Sequence, residues 1–137
     1  MYRIVSKEML TPTICRMKVE ASRLATAARP GQFLIVRADE QGERIPLTIS
    51  DFDKEAGTVT IVTQNIGAST SEICSYEEGD SFSDVVGPLG IPSDFTEMSD
   101  EELAGKRYVF IAGGVGTAPV YPQVKWLHER GASVDVI

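Results

Sequence analysis

The stretch Gly113-Gly114-Val115-Gly116-Thr117-Ala118-Pro119 is the part of this sequence best equipped for chemistry. Glycines at that density let a backbone turn sharply and approach a ligand closely. Where such a turn opens a helix, the free N–H groups and the positive end of the dipole suit a phosphate. The spacing is not G-x-G-x-x-G, and no lysine follows the glycines to make a P-loop. Gly67-Ala68-Ser69-Thr70-Ser71 is a second place of this kind, a glycine leading into a helix start with hydroxyls beside the backbone donors. A third, Arg44-Ile45-Pro46-Leu47-Thr48-Ile49-Ser50, brings a cation, a proline that fixes the chain, and spaced hydroxyls. Each also has a plainer reading: a turn that merely permits packing, an ordinary capped helix, and an edge strand.

The glycine turn must be held by the elements on either side of it. Tyr108 to Ala112 is continuously apolar, as in a strand covered on both faces. Pro119 suits a first helical turn, Val120, Tyr121, Val124 and Leu127 form a 3.6-period stripe, and Gly131 stops the helix. Ser133 to Ile137 reads as another buried strand. Strand, helix and strand make one βαβ unit, which cannot cover both faces of its own sheet. The chain is therefore expected to stop inside a second domain, and the unit's uncovered faces predict self-association of the fragment.

The earlier part of the chain has a different period. Cys15, Met17 and Val19 alternate with Arg16, Lys18 and Glu20, the mark of a half-buried strand. Similar runs occur at Tyr2 to Lys7, Gln32 to Arg37, Ile45 to Ser50, Thr58 to Thr63 and Asp80 to Val86, separated by glycine- and aspartate-rich turns. Six short strands predict a small antiparallel barrel. Ser69 followed by Glu72 predicts a capping box and a short helix between strands.

With 137 residues, 42% of them hydrophobic and 24% charged, the chain has enough apolar side chains for a core. Its 13 Lys+Arg against 20 Asp+Glu give a net charge of -7, which excludes a basic stripe for nucleic acid. No apolar run approaches a membrane span or a signal peptide, so a cytoplasmic location without membrane contact is expected. Cys15 and Cys74 lie far apart in sequence and read as buried or surface thiols without chemistry. Asp84, Asp94, Glu101, Glu102 and His128 read as surface groups, and Trp126 as packing.

The order of Pro46-Leu47-Thr48, the Gly67–Ser69 helix start, Gly87-Pro88-Leu89-Gly90 and Gly113-Gly114-x-Gly116-x-Ala118-Pro119 resembles the ferredoxin-NADP reductase superfamily over essentially the whole chain. Within it the sequence looks most similar to the electron-transfer small subunits of dihydroorotate dehydrogenase and of NADH-dependent ferredoxin:NADP oxidoreductase. The resemblance implies a mainly β fold: an FAD-binding antiparallel barrel over residues 1–105, then the incomplete α/β start of a nicotinamide-dinucleotide domain over 106–137. By position, Pro46, Leu47 and Thr48 would border the flavin ring, Val62, Thr63 and Gln64 the adenine-ribose side, and Gly67, Ser69 and Thr70 the FAD pyrophosphate. Gly113, Gly114, Gly116 and Thr117 would approach NAD(P).

The superfamily's R-x-Y-S/T flavin motif is altered. Ile45 and Leu47 occupy the arginine and aromatic positions, and Arg44 is displaced by one residue, which predicts that it turns to the opposite strand face. No catalytic acid or base is implied. The resemblance also implies a larger catalytic oxidoreductase subunit as partner, with a [2Fe-2S] centre only in a missing C-terminal part. Two other readings stay open: a stand-alone flavin or oxygenase reductase domain, and a barrel kept for protein binding after losing flavin.

Overall fold

The computed structural model describes every residue from Met1 to Ile137. Its first half is built from β1 (Tyr2–Thr11), β2 (Ile14–Glu20), α1 (Ser22–Ala27), β3 (Phe33–Arg37), β4 (Arg44–Thr48), β5 (Asp51–Asp53), β6 (Thr58–Gln64), α2 (Ala68–Ser75), β7 (Ser81–Phe82) and β8 (Asp84–Leu89). Alternation decides the faces as the sequence predicts: Cys15, Met17 and Val19 of β2 are buried while Arg16, Lys18 and Glu20 are exposed. The strands form two antiparallel sheets, β5-β6-β2-β1-β7 and β4-β3-β8. Their inner faces share one core of 17 buried residues, among them Ile4, Met17, Leu34, Ile61 and Phe82.

Eight strands in two sheets replace the expected six-stranded barrel. The run from Asp80 to Val86 divides at Ser83, whose N–H bonds to the carbonyls of Arg37 and Ala38. This break sends β7 to β1 and β8 to β3, in different sheets. The short β5 adds to the edge of β6, a pairing too brief for alternation to reveal. Helix α1 has no signature in the sequence, since six residues carry less than two turns of any periodic stripe; Leu24 and Ala25 bury it on the core.

After a turn at Asp94–Glu97, α3 (Asp100–Ala104) is capped reciprocally by Ser99 and Glu102. The Ser99 N–H and hydroxyl hold the Glu102 carboxyl below the usual range, so this surface acid has a local structural role. The second half is β9 (Arg107–Phe110), α4 (Thr117–Glu129) and β10 (Ser133–Val136), with Tyr108 beside Val134 in a parallel pair. Gly131, at φ +81°, ends α4 as expected. Leu103, Leu127 and Ala132 bury one face of this pair together with Tyr108, Phe110 and Val134.

The other face is open. Val109 and Ile111 are exposed there, so β9 is not covered on both sides as its apolar run predicts, because one helix can cover only one face. Trp126 packs under Arg130, whose guanidinium carbon lies 3.4 Å from the indole centroid. No helix is long and apolar enough to cross a membrane.

Candidate functional site

The register of β3 against β4 fixes which side chains of the Arg44–Thr48 segment are available. Leu34 pairs with Leu47 and Val36 with Ile45, and these four point to the core. Phe33, Ile35 and Arg37 pair with Thr48, Pro46 and Arg44 on the other face. Pro46 and Thr48 are thus presented outward together, while the Leu47 side chain packs toward the core. Arg44 shares the face of Pro46 and Thr48. Displacement by one residue therefore brings the arginine onto the outward side rather than removing it.

Arg44 Nη1 lies 3.0 Å from Asp84 Oδ2 on β8, so Asp84 is an ion-pair partner and not merely a solvated acid. Arg37 stands between them in the same row, and its buried Nε has no acceptor. Two guanidiniums with one carboxylate leave that row net positive. β4 is also the edge of its sheet, where Pro46 lacks no needed donor and the outer backbone groups are unpaired.

Helix α2 begins beside the start of β4. Gly67 is its N-cap, in extended backbone, and the Thr70 Oγ1 accepts the N–H groups of Ile66 and Gly67, each at 3.0 Å. The expected Ser69–Glu72 capping box is not formed, because the helix starts two residues earlier and Thr70 reaches back to the cap instead. Ser71 N is the first amide to bond back, to Gly67 O at 2.8 Å. The amides of Ala68, Ser69 and Thr70 have no acceptor in the chain. Ser69 Oγ donates to the Glu43 carboxylate, which puts a negative group at a helix N-terminus that favours one.

Val62, Thr63 and Gln64 end β6 and alternate. Thr63 is buried opposite Cys15, so its side chain faces the core, while Val62 and Gln64 face outward. Cys74 of α2 contacts the Thr63 carbonyl at 3.6 Å and lies 2.9 Å, sulfur to sulfur, from Cys15. The two thiols read as independent in sequence are neighbours in space.

The glycine turn lies on the far side of β6. Gly114 has φ +56°, a left-handed conformation that other residues adopt only with strain, and a tight turn over 114–116 leads into α4. A Cβ added at Gly67, Gly113 or Gly114 would meet nothing within 4 Å, so internal packing is not what demands glycine there. Between this turn and the outer face of the five-stranded sheet runs a groove of about 520 Å³, lined by Ile14, Arg16, Val62, Gly114, Thr117 and Tyr121 among others. Arg16 and Tyr121 were missed in the sequence, where they read as a solvated charge and a stripe residue.

The structure therefore gathers the sequence-selected residues into two adjoining sets. Pro46, Thr48, Gly67, Ser69 and Thr70 lie along the β4 edge and the α2 start; Val62, Gly114 and Thr117, with Gly113 and Gly116 in the same turn, lie at the groove. Strand β6 runs beside both. The groove's rim includes Asp51, whose Oδ1 accepts from Lys125 Nζ at 2.8 Å. That hydrogen bond and the carboxylate charge raise the Lys125 ammonium above its ordinary value against its partial burial.

No family model matches the chain. A Clostridium beijerinckii protein described only as uncharacterised, in the adh 3′ region, is 58% identical over 137 residues, covering 100% of this chain and 46% of its own. A Thermotoga maritima homologue of the electron transfer subunit of dihydroorotate dehydrogenase B is 37% identical over 134 residues, 98% of this chain and 45% of its own. The chain thus spans about half the length of the curated relatives it matches. Among solved structures, that of an NADH-dependent reduced ferredoxin-NADP oxidoreductase superposes with a TM-score of 0.88 at 36% identity, over 99% of this chain and 47% of the other. Phthalate dioxygenase reductase superposes at 0.75 with 20% identity, over 98% and 41%, a likeness of fold alone. With these likenesses spanning nearly the whole chain and the glycine turn, α2 and β4 segments set around β6, the chain belongs to the ferredoxin-NADP reductase superfamily.

Proposed function

We propose that this chain is the FAD-binding part of an oxidoreductase electron-transfer subunit that passes electrons between NAD(P)H, FAD and an iron-sulfur relay to a larger partner subunit. The observation that carries this reading is the pair of unsaturated anion sites on either side of β4. Three free amides open α2, and an arginine row contains an Arg37 Nε without a partner. Glu43, already drawn to the α2 start by Ser69, marks the place where a phosphate would sit. The residues present therefore fit the pyrophosphate of FAD.

In this reading Arg44 and the amides of Ala68, Ser69 and Thr70 hold the pyrophosphate, with Ser69 turning its hydroxyl from Glu43 to the ligand. Pro46 lies against the flavin ring where other sequences would place an aromatic, and Thr48, on the same face, offers a hydroxyl to the ring edge. Val62 and Gln64 flank the adenine-ribose side through side chains, Thr63 through its backbone. Gly113, Gly114, Gly116 and Thr117 form the approach for NAD(P), and Val62 connects the two cofactor paths. Bound FAD supplies the redox chemistry, taking two electrons as hydride and releasing them singly. The protein's part is to orient the two cofactors and exclude water between them.

We place the FAD-binding unit at 1–105 and the start of the dinucleotide unit at 106–137. The separation of the hydrophobic clusters supports two units, while Phe95, Met98 and Leu103, just before the boundary, pack with the second. The [2Fe-2S] centre that the resemblance implies is assigned, as part of the same proposal, to residues outside this chain. The names of relatives as electron-transfer subunits support a larger catalytic partner.

Titration of the protein with FAD and with FMN tests the reading. FAD is expected to bind more tightly, because α2 offers a phosphate site that only the dinucleotide can use, and bound flavin declares itself by visible absorption. Equal affinity for the two flavins, or none, overturns it.

A further inference from the structure

We propose that Cys15 and Cys74 form a modification site: a dithiol that a hydroperoxide converts into a disulfide fastening α2 to β2. The residues are 59 positions apart in sequence, yet their sulfurs stand 2.9 Å apart, within reach of a bond with little movement of either element. Cys15 is fully buried on the core face of β2, whereas Cys74 is partly exposed on α2. Cys74 is the sulfur a small oxidant meets first, and Cys15 the one that resolves it.

The surroundings suit that order. Lys7, itself largely buried and held at 2.6 Å by Glu77, places a positive charge near Cys15, where burial and the second sulfur outweigh it. Burial and the neighbouring sulfur push Cys15 up to about 12, so it remains protonated while Cys74 reacts. Thr63 accepts from Cys74 through its carbonyl and stands opposite Cys15 in the β2–β6 ladder, so its backbone joins the two elements that carry the thiols.

In the first step the Cys74 thiolate attacks the peroxide, the O–O bond breaks, an alcohol (water, from hydrogen peroxide) leaves after taking a proton, and Cys74 becomes a sulfenic acid. The Cys15 sulfur then attacks Cys74 Sγ. The S–S bond forms, the S–O bond breaks, and water departs with the Cys15 proton. Two thiols lose two electrons in all, and the peroxide gains them. Because α2 carries the free amides of Ala68 to Thr70, the disulfide anchors the phosphate-holding turn; this consequence rests on the FAD reading above, and the disulfide itself does not.

The test treats the full-length flavoprotein with hydrogen peroxide and maps its peptides by mass spectrometry before and after dithiothreitol. The expected product joins the Cys15 and Cys74 peptides with the loss of two hydrogens. It is reversed by dithiothreitol, and amide exchange in α2 slows while it is present. Cys15→Ala should instead leave a dimedone-reactive sulfenic acid at Cys74, and Cys74→Ser should leave Cys15 unmodified. Recovery of both residues as free thiols after peroxide treatment overturns the proposal. FAD is expected to dissociate more slowly from the oxidised protein. A cross-link that forms without changing FAD release removes α2 from the FAD site and leaves the disulfide standing.

Discussion

Lys125 on α4 donates to Asp51 Oδ1 on β5 at 2.8 Å, tying the helix behind the glycine turn to the antiparallel half of the molecule. A second tie, from Ser93 Oγ to Gln123 Oε1 at 2.9 Å, lies on the same helix. Lys125→Met should lower stability by about 0.5 kcal/mol, the scale of a part-exposed ion pair. Asp51 raises the Lys125 pKa in the folded state, so the pair's contribution is complete below the ordinary lysine value of about 10.4 and disappears as pH rises through the raised one. Unfolding curves of wild type and Lys125→Met should therefore differ at pH 8 and converge in strong alkali. A difference that persists there would show that the methylene stem, not the charge, makes the tie.

Glu43 and an incoming pyrophosphate compete for the α2 start. Glu43→Gln should tighten FAD binding about two- to fivefold, from the roughly 0.3–1 kcal/mol of a charge near a helix terminus. Isothermal titration reads this directly, and the gain should shrink in high salt. Weaker binding in the variant would mean that Glu43 helps hold the ligand.

Ser69 and Thr70 are adjacent but do different work. Thr70→Ala removes the acceptor for the Ile66 and Gly67 amides and should cost about 1 kcal/mol of stability, as lost caps do. Ser69→Ala loses a surface hydrogen bond and should leave the unfolding midpoint nearly unchanged while weakening FAD. Thermal melts without ligand separate the two.

The faces of β4 predict another split. Leu47→Ala opens space at the core edge and should destabilise by about 2 kcal/mol, the low end for a buried leucine. Pro46→Ala, on the outward face, should shift flavin absorption or affinity with a smaller effect on melting. The reverse pattern would exchange the assigned faces.

Gly113 and Gly114 separate strain from access. Gly114→Ala must adopt a positive φ and should destabilise by about 1 kcal/mol, though the added Cβ meets no atom. Gly113 has extended backbone at φ -148°, so Gly113→Ala should be neutral in stability and should still weaken NAD(P)H binding to the full-length protein. Unchanged binding would remove the turn from the dinucleotide path.

The open face of β9 and β10 carries Val109 and Ile111. This chain by itself should associate through that face, which light scattering after size exclusion measures. Ile111→Lys should then favour the monomer.

Local chemistry alone determined much of this protein. Alternation set the faces of β2, the apolar stripe and Gly131 bounded α4, and glycine density marked the two turns, because each is decided by neighbours a few residues away. The tertiary structure decided the rest. Whether Asp80 to Val86 is one strand or two depends on Ser83 meeting the carbonyls of Arg37 and Ala38, more than forty residues earlier. The face taken by Arg44 depends on its register with Arg37, not on its distance from Thr48 in a motif. The meeting of Cys15 with Cys74 required β2, β6 and α2 to share one core, and the pairing of Asp51 with Lys125 required α4 to pack beside β5. Such contacts arise when separate surfaces bury apolar area together, and no short window of sequence contains both partners.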